Sequence, residues 1–364
     1  QTCALPIFEC ESMQRGISMS ESRAHQSGSS HIAAGTNPKS KPWLTPDEQM
    51  KHLRSQGVRF DLMSEKDAIS YLAKNNNFFR LRSYRQGFAR VEEGKRKGQF
   101  ANLDFKMLVD LSVIDMLLRY EMLRLTLDVE HFSKVMLLTH IEKCHEDGYE
   151  IIQDFLASYD HPNGSKTPNR LKQEIERGKN SPYTRDLIAS FPDFRFPVWA
   201  FQEVISFGSF NYFTKFCSER FEDKTLANDF YLLQDVRSLR NACAHNNCII
   251  NDMGAKPGGK RPNDTISQAV SSVASIGSGQ RRSKLSNERL RQIVATLYLH
   301  KERASSGVLE HRTEDLGKFA ERMKKNIDYY DGNNQIKSGF RFIGSLIESW
   351  YPTAQNDTQT QAQS

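Results

Sequence analysis

Arg240, Asn241 and His245 lie within VRSLRNACAHNNC, residues 236–248, and their types suit proton and phosphate chemistry. An imidazole with a reference pKa near 6.5 can take or give a proton around neutral pH. A guanidinium keeps its charge and presents paired donors to a phosphate. The stretch has helical patterning: at about 100° per residue, Leu232, Val236, Leu239 and Cys243 form one apolar stripe. Arg237, Asn241 and His245 follow at four-residue spacing, broadly opposite that stripe. Asn241 can therefore orient His245 one turn on. Arg240 falls about 140° from His245 in an ideal helix. A single helix does not bring guanidinium and imidazole together by stacking. Either Arg240 reaches around, or a second copy of the helix supplies the partner group.

Spacing alone leaves plainer readings open. Short Arg/His spacings arise easily by chance, and the face could be solvated helix surface. Cys243, His245 and Cys248 have a C-x-H-x2-C spacing that raises a metal site. It lacks an obvious fourth ligand, and Cys243 sits on the apolar stripe, so no metal or other cofactor is expected.

The elements that must position this stretch follow from the rest of the chain. Its 364 residues suffice for one large domain or two small ones. A net charge of +6 permits an anionic partner such as nucleic acid without requiring one. The richest apolar stretch, MLLRYEMLRLTL, is interrupted by Arg119, Glu121 and Arg124, so no membrane-spanning helix is expected. No secretory pattern is visible, and the reading is a cytoplasmic protein without membrane contact. Gln1–Ile7, QTCALPI, reads as the translation of a sequencing adapter, with the start expected at Met13 or Met19. Setting aside Cys3 and Cys10 leaves Cys144, Cys217, Cys243 and Cys248, which are expected to be reduced.

Residues 1–40 are expected to be disordered or artefactual, being rich in Ser, Gly and Ala. Thr45 can cap a helix that begins at Pro46 and ends at Gly57, and Ser64 can cap EKDAISYLAKNN. Running into the long segment 104–148, Leu103, Met107, Leu111, Ile114, Leu118, Met122 and Leu125 recur every three or four residues. This predicts two helices or one long bent one. Residues 160–184 read as a loop with a short helix, LKQEIERG. A helix starts near Pro197, and another, from about Asn228 to Ala244, carries the opening motif. Residues 252–284 shift to Gly, Pro, Ser and basic residues and read as a flexible insertion. Helices return over 285–352, packed on the 41–251 domain, and 353–364 form a disordered tail. Strand-like alternation is scarce, so the fold class is all-α.

Several segments, in order, carry a resemblance over roughly Lys41 to Asn251. They are T-P-x-E-Q-x3-L-x3-G at Thr45–Gly57, YLAKNNNFFRLRSYRQGF at Tyr71–Phe88, and a D-x3-R helix followed by Glu130. PVWAFQEVISFGSF at Pro197–Phe210 and LRNACAH at Leu239–His245 complete the set. In these the chain resembles the Abi family of bacterial abortive-infection proteins, of the AbiD/AbiF type, whose helical domain belongs to the HEPN group. The resemblance implies a HEPN-like helical bundle and an R-x4–6-H ribonuclease motif, which Arg240, Asn241 and His245 fit in its four-residue form. It further implies metal-independent RNA cleavage in phage defence or a toxin–antitoxin system, with an RNA or protein antitoxin as partner. Two motifs face each other in such enzymes, so a homodimer is implied. His245 would act as acid or base in 2′-OH attack, and Arg240 would stabilise the phosphoryl charge. The chain departs from the family pattern after the motif: Asn246 stands where many relatives carry a second His, and CIIN replaces an aromatic end. The alternative is a non-catalytic RNA- or protein-binding module of the same fold.

Two further groups are candidates. Glu130 and Lys134, four apart, form either a helix-stabilising ion pair or the cleft wall that the resemblance implies. FFRLRSYR interleaves Phe78, Phe79 and Tyr84 with Arg80, Arg82 and Arg85, a pattern open to core packing or to RNA contact. The basic loops GKRKG, with Lys95, Arg96 and Lys97, and GQRRSK, residues 279–284, are expected to face solvent and suit nonspecific RNA contact.

Overall fold

A computed structural model of the protein describes residues 43–160, 169–256, 258–259 and 261–352. The expectations for 1–40 and 353–364, and for 161–168 of the 160–184 loop, lie outside the described residues. Among the described residues the regular structure is helical, as expected, with only two isolated bridges, Arg59 to Asp104 and Arg90 to Phe100.

The N-terminal helices are α1 (Pro46–Ser55), α2 (Glu65–Lys74) and α3 (Phe78–Ser83), followed by the long α4 (Phe105–Lys143). Shorter helices α5 (Glu150–Ala157), α6 (Arg170–Gly178), α7 (Arg185–Ala189) and α8 (Val198–Val204) lead to α9 (Phe207–Arg220) and α10 (Lys224–Ala244). The chain ends with α11 (Asp264–Ser271), α12 (Ser278–Leu285), α13 (Glu288–Arg303), α14 (Ser306–Lys324) and α15 (Asn334–Trp350).

Local chemistry sets the starts. Thr45 forms a full capping box with Glu48, and Ser64 accepts from the Asp67 amide, so each satisfies otherwise orphaned N–H groups. Gly57 ends α1 with φ +84°, and a Cβ there would come within 2.9 Å of the Phe100 carbonyl oxygen.

The long segment is one helix of 39 residues rather than two. Leu111, Ile114, Leu118, Met122 and Leu125 are fully buried along it, and Met107 packs at the core's edge. This α4 helix packs on α10, α13 and α14, and α10 also lies against α9 and α13. α10 runs antiparallel to α4: Asp115 near one end of α4 meets the Ile249 amide, and His140 near the other lies 3.4 Å from Asp223.

The flexible insertion expected over 252–284 is corrected by α11 and α12. Ile266, Val270, Val273, Ile276 and Leu285 are buried there. Gly, Ser and basic residues dilute the composition, yet the apolar residues still recur at helical spacing and form one inward face. Lys284, expected in a solvent-facing loop, is buried and donates to Ser338 Oγ at 2.7 Å, and burial lowers its pKa. The C-terminal helix α15 places Phe342, Ile343 and Leu346 in the core.

Candidate functional site

The motif occupies the last turn of α10. Its apolar stripe, Leu232, Val236, Leu239 and Cys243, is buried, each such aliphatic side chain contributing about 1.5–3 kcal/mol. Burial pushes the Cys243 thiol up to about 12, so it stays protonated against the core and is unsuited to bind a metal. Among the described residues, His, Cys, Asp and Glu form no group of three or more able to hold a metal ion.

The helix ends at His245, whose amide donates to the Asn241 carbonyl at 2.9 Å. Asn246 then takes a left-handed conformation, φ +58°. The Asn246 amide donates to the Cys243 carbonyl at 3.0 Å and the Asn247 amide to the Ala242 carbonyl at 2.8 Å. This paired pattern is the Schellman arrangement, with Asn in the position usually held by Gly. Asn and His are both enriched in that conformation, so either residue suits this backbone.

Beneath the turn lies a buried polar knot. Asp115, with no exposed surface, accepts from the Ile249 and Ile250 amides at 2.8 and 3.0 Å through Oδ1. Its Oδ2 accepts from the Tyr84 hydroxyl at 2.8 Å and pairs with Arg119. Arg119 also donates to the Asn247 carbonyl at 3.5 Å, and Ser83 to Cys248 Sγ at 3.4 Å. Burial pushes the Tyr84 phenol up, which keeps it a donor. Arg80, on α3, closes the turn from outside, donating to Asn246 Oδ1 at 3.0 Å and to the Asn246 carbonyl.

The upper side is different. His245 is exposed, and its imidazole makes no hydrogen bond or ion pair among the described residues. Arg240 Nη1 donates to Asn241 Oδ1 at 3.4 Å, so the Asn241 side chain is turned to the arginine rather than to the imidazole. Arg240 and Asn241 are thus brought together, while His245 is joined to them only through the backbone. Arg237 is committed elsewhere: it lies across Gly208 of α9, where a Cβ would sit 3.0 Å from its Cζ. An open cleft of about 510 Å³, lined in part by Ala242, Asn247, Cys248, Arg289 and Gln292, borders the turn.

The profile of the Abi-like protein family matches residues 71–251. The chain belongs to that family. No curated protein and no solved structure matches it. The span matched in this Abi-like chain takes in the whole knot, from the Tyr71 hydroxyl, 2.8 Å from Ser112 Oγ, to Asn251 just past the clamped amides. Helices α11 to α15 follow it.

The secondary candidates are placed apart. Glu130 and Lys134 pair with each other at 3.5 Å and stand beside the middle of α10, between the registers set by Asp115 and His140. Arg80, on α3, is next to the motif turn, whereas Arg82 and Arg85, on and just after α3, stand near His52 of α1. Lys95, Arg96 and Lys97 are exposed on a turn closed by the Val91 amide to the Gln99 carbonyl, 2.8 Å. That turn adjoins Gly57, and Arg96 folds back onto Gln99 Oε1 and the Phe100 carbonyl at 3.2 Å each. Among the described residues no helix is long and apolar enough to cross a membrane.

The knot is what sequence reasoning missed. Asp115 and Arg119 were visible as D-x3-R, and Tyr84 and Arg80 in FFRLRSYR, but nothing local announced their target 134 residues away.

Proposed function

We propose that this Abi-like chain is a HEPN-type endoribonuclease acting in abortive infection, the defence of bacteria against phage, or in a related toxin system. The reading rests chiefly on one observation: an exposed, unpartnered imidazole at a helix end whose underside is fully hydrogen-bonded. A group held this way is positioned without being neutralised by neighbours, which is what acid–base chemistry requires.

In the proposed reaction a base removes the ribose 2′-OH proton, O2′ bonds to phosphorus, and the P–O5′ bond breaks. An acid returns a proton to O5′, leaving a 2′,3′-cyclic phosphate. His245 serves as base or acid, and Arg240, steadied by Asn241, offsets charge developing on the phosphoryl oxygens. Within one chain the Arg240 and His245 side chains do not meet, which favours a homodimer in which each chain completes the other's site. Glu130 and Lys134 would form the wall of that cleft. The partners are RNA and an RNA or protein antitoxin, the compartment is the cytoplasm, and the chemistry is metal-independent.

The test is labelled single-stranded RNA incubated with purified protein in EDTA. Cleavage that persists in chelator, yields cyclic-phosphate ends and disappears in His245→Ala is the expected result. RNA retention without cutting, indifferent to that substitution, would establish a binding module instead. An active, strictly monomeric protein would overturn the composite site.

A further inference from the structure

The α3 helix buries one side and offers the other. Leu81 and Tyr84 are each 1% exposed, whereas Phe79 is 84% exposed. Single exposed apolar residues are ordinary, and Tyr183 is exposed further still at 92%; Phe79 is set apart by the arginines around it. Trp199 and Tyr212, also exposed, lie 5.8 and 5.9 Å from the rings of Phe191 and Phe230. Phe79 has no ring neighbour among the described residues.

Its surroundings are cationic. Arg80, the next residue, reaches the Asn246 beside His245, so Phe79 stands within a few residues' reach of the motif. Arg82 and Arg85 form no salt bridge among the described residues, and Arg82 Nε is buried without a partner. Burial lowers the Arg85 pKa, and Arg82 and Arg90 add to the effect. His52 is likewise held down by burial and then by Arg82 and Arg85. Like charges gathered without counter-charge are relieved by a polyanion. An exposed ring among them suits a base that is free to leave its own stack, and this selects single-stranded RNA over duplex.

We propose that Phe79 is a stacking platform for one base of single-stranded RNA, with Arg82 and Arg85 binding the adjoining phosphates and Arg80 linking this surface to the motif turn. This rests on RNA being the substrate. Arg80 is a positioning residue, holding the turn that carries His245.

The experiment measures anisotropy of a labelled single-stranded oligoribonucleotide in a His245→Ala background at several salt concentrations. Phe79→Ala should weaken binding about 5- to 150-fold without changing the salt slope, and Phe79→Trp should preserve it. Arg82→Ala and Arg85→Ala should each flatten the salt slope by about 0.7. An oligonucleotide with an abasic residue at the stacked position should bind as weakly as Phe79→Ala makes the intact one, and the two losses should not add. Thermal melts of each variant report folding. Equal binding by Phe79→Ala and its parent, or equal loss in the Trp and Ala variants, overturns the proposal. If Phe79-dependent binding is found but the unsubstituted protein never cuts RNA, the nuclease reading fails while the stacking site stands.

Discussion

Near the start of α4, Asp115 gathers Tyr84, Arg119 and the Ile249 and Ile250 amides. Further along the same helix, Asp128 gathers His300 at 3.3 Å and Arg312 at 2.8 Å. The first knot ties the turn that carries His245. The second ties α13 and α14, and His300 Nδ1 extends it to the Tyr351 hydroxyl at 3.2 Å. They differ in their protons. Arginine and a buried tyrosine keep theirs through the neutral range, whereas the buried His300 is held neutral, its pKa lowered by burial to about 4 against the pull of Asp128. The motif turn is therefore anchored by an arginine and a tyrosine that keep their protons as pH falls below about 6.5, and the C-terminal helices by a histidine whose contribution is lost between about 6.5 and about 4.

Breaking the first knot gives the largest effect. Asp115→Ala would leave Arg119, the Tyr84 hydroxyl and two backbone amides without their acceptor in the core. Removing one partner of a buried ion pair costs about 3–5 kcal/mol. Urea or thermal unfolding should show that loss, and cleavage should vanish even in protein that remains folded. A loss under about 1 kcal/mol would mean the knot does not hold the turn.

The comparison also shows how much of the molecule was legible. Helix starts at Thr45 and Ser64, the α10 stripe and the all-α class follow from caps and periodicity, which are local. The knots join side chains to partners across the chain, and such contacts leave no periodic trace. The left-handed turn at Asn246 left no periodic signal either, since a single positive φ is set by the cap and not by spacing. Residues 252–284 misled because composition there outweighed the spacing of a few isoleucines and valines. Asn241 turned to Arg240 because these neighbours can reach each other, which a helical wheel does not represent.

The second knot should answer to acid. His300 has a folded-state pKa below its unfolded value, so its contribution is present above about 6.5 and is lost as pH falls towards about 4. Across that window the loss amounts to about 3 kcal/mol. Urea melts between pH 7 and 5 should show the decline in the unsubstituted chain and a flatter profile in His300→Gln. Parallel profiles would remove His300 from the account. Because the first knot holds no group of this kind, protease cutting during acid opening should begin in α13 to α15 rather than at the motif turn.

The smallest effect separates backbone from side chain at the motif itself. Asn246 has φ +58°, and its side chain and carbonyl both accept from Arg80. Alanine resists the left-handed region, so Asn246→Ala should lose about 1 kcal/mol. Glycine enters it freely, so Asn246→Gly should lose less, although it forfeits the same Oδ1 contact. Histidine, which tolerates the region, should fold about as well as asparagine. If Ala and Gly lose equally, the Arg80 hydrogen bond matters and the backbone conformation does not. If Ala alone falls, the residue after His245 serves the turn rather than the chemistry. Cleavage by Asn246→His should then match the unsubstituted chain in rate and pH profile, whereas a shifted profile would show a second imidazole entering the reaction.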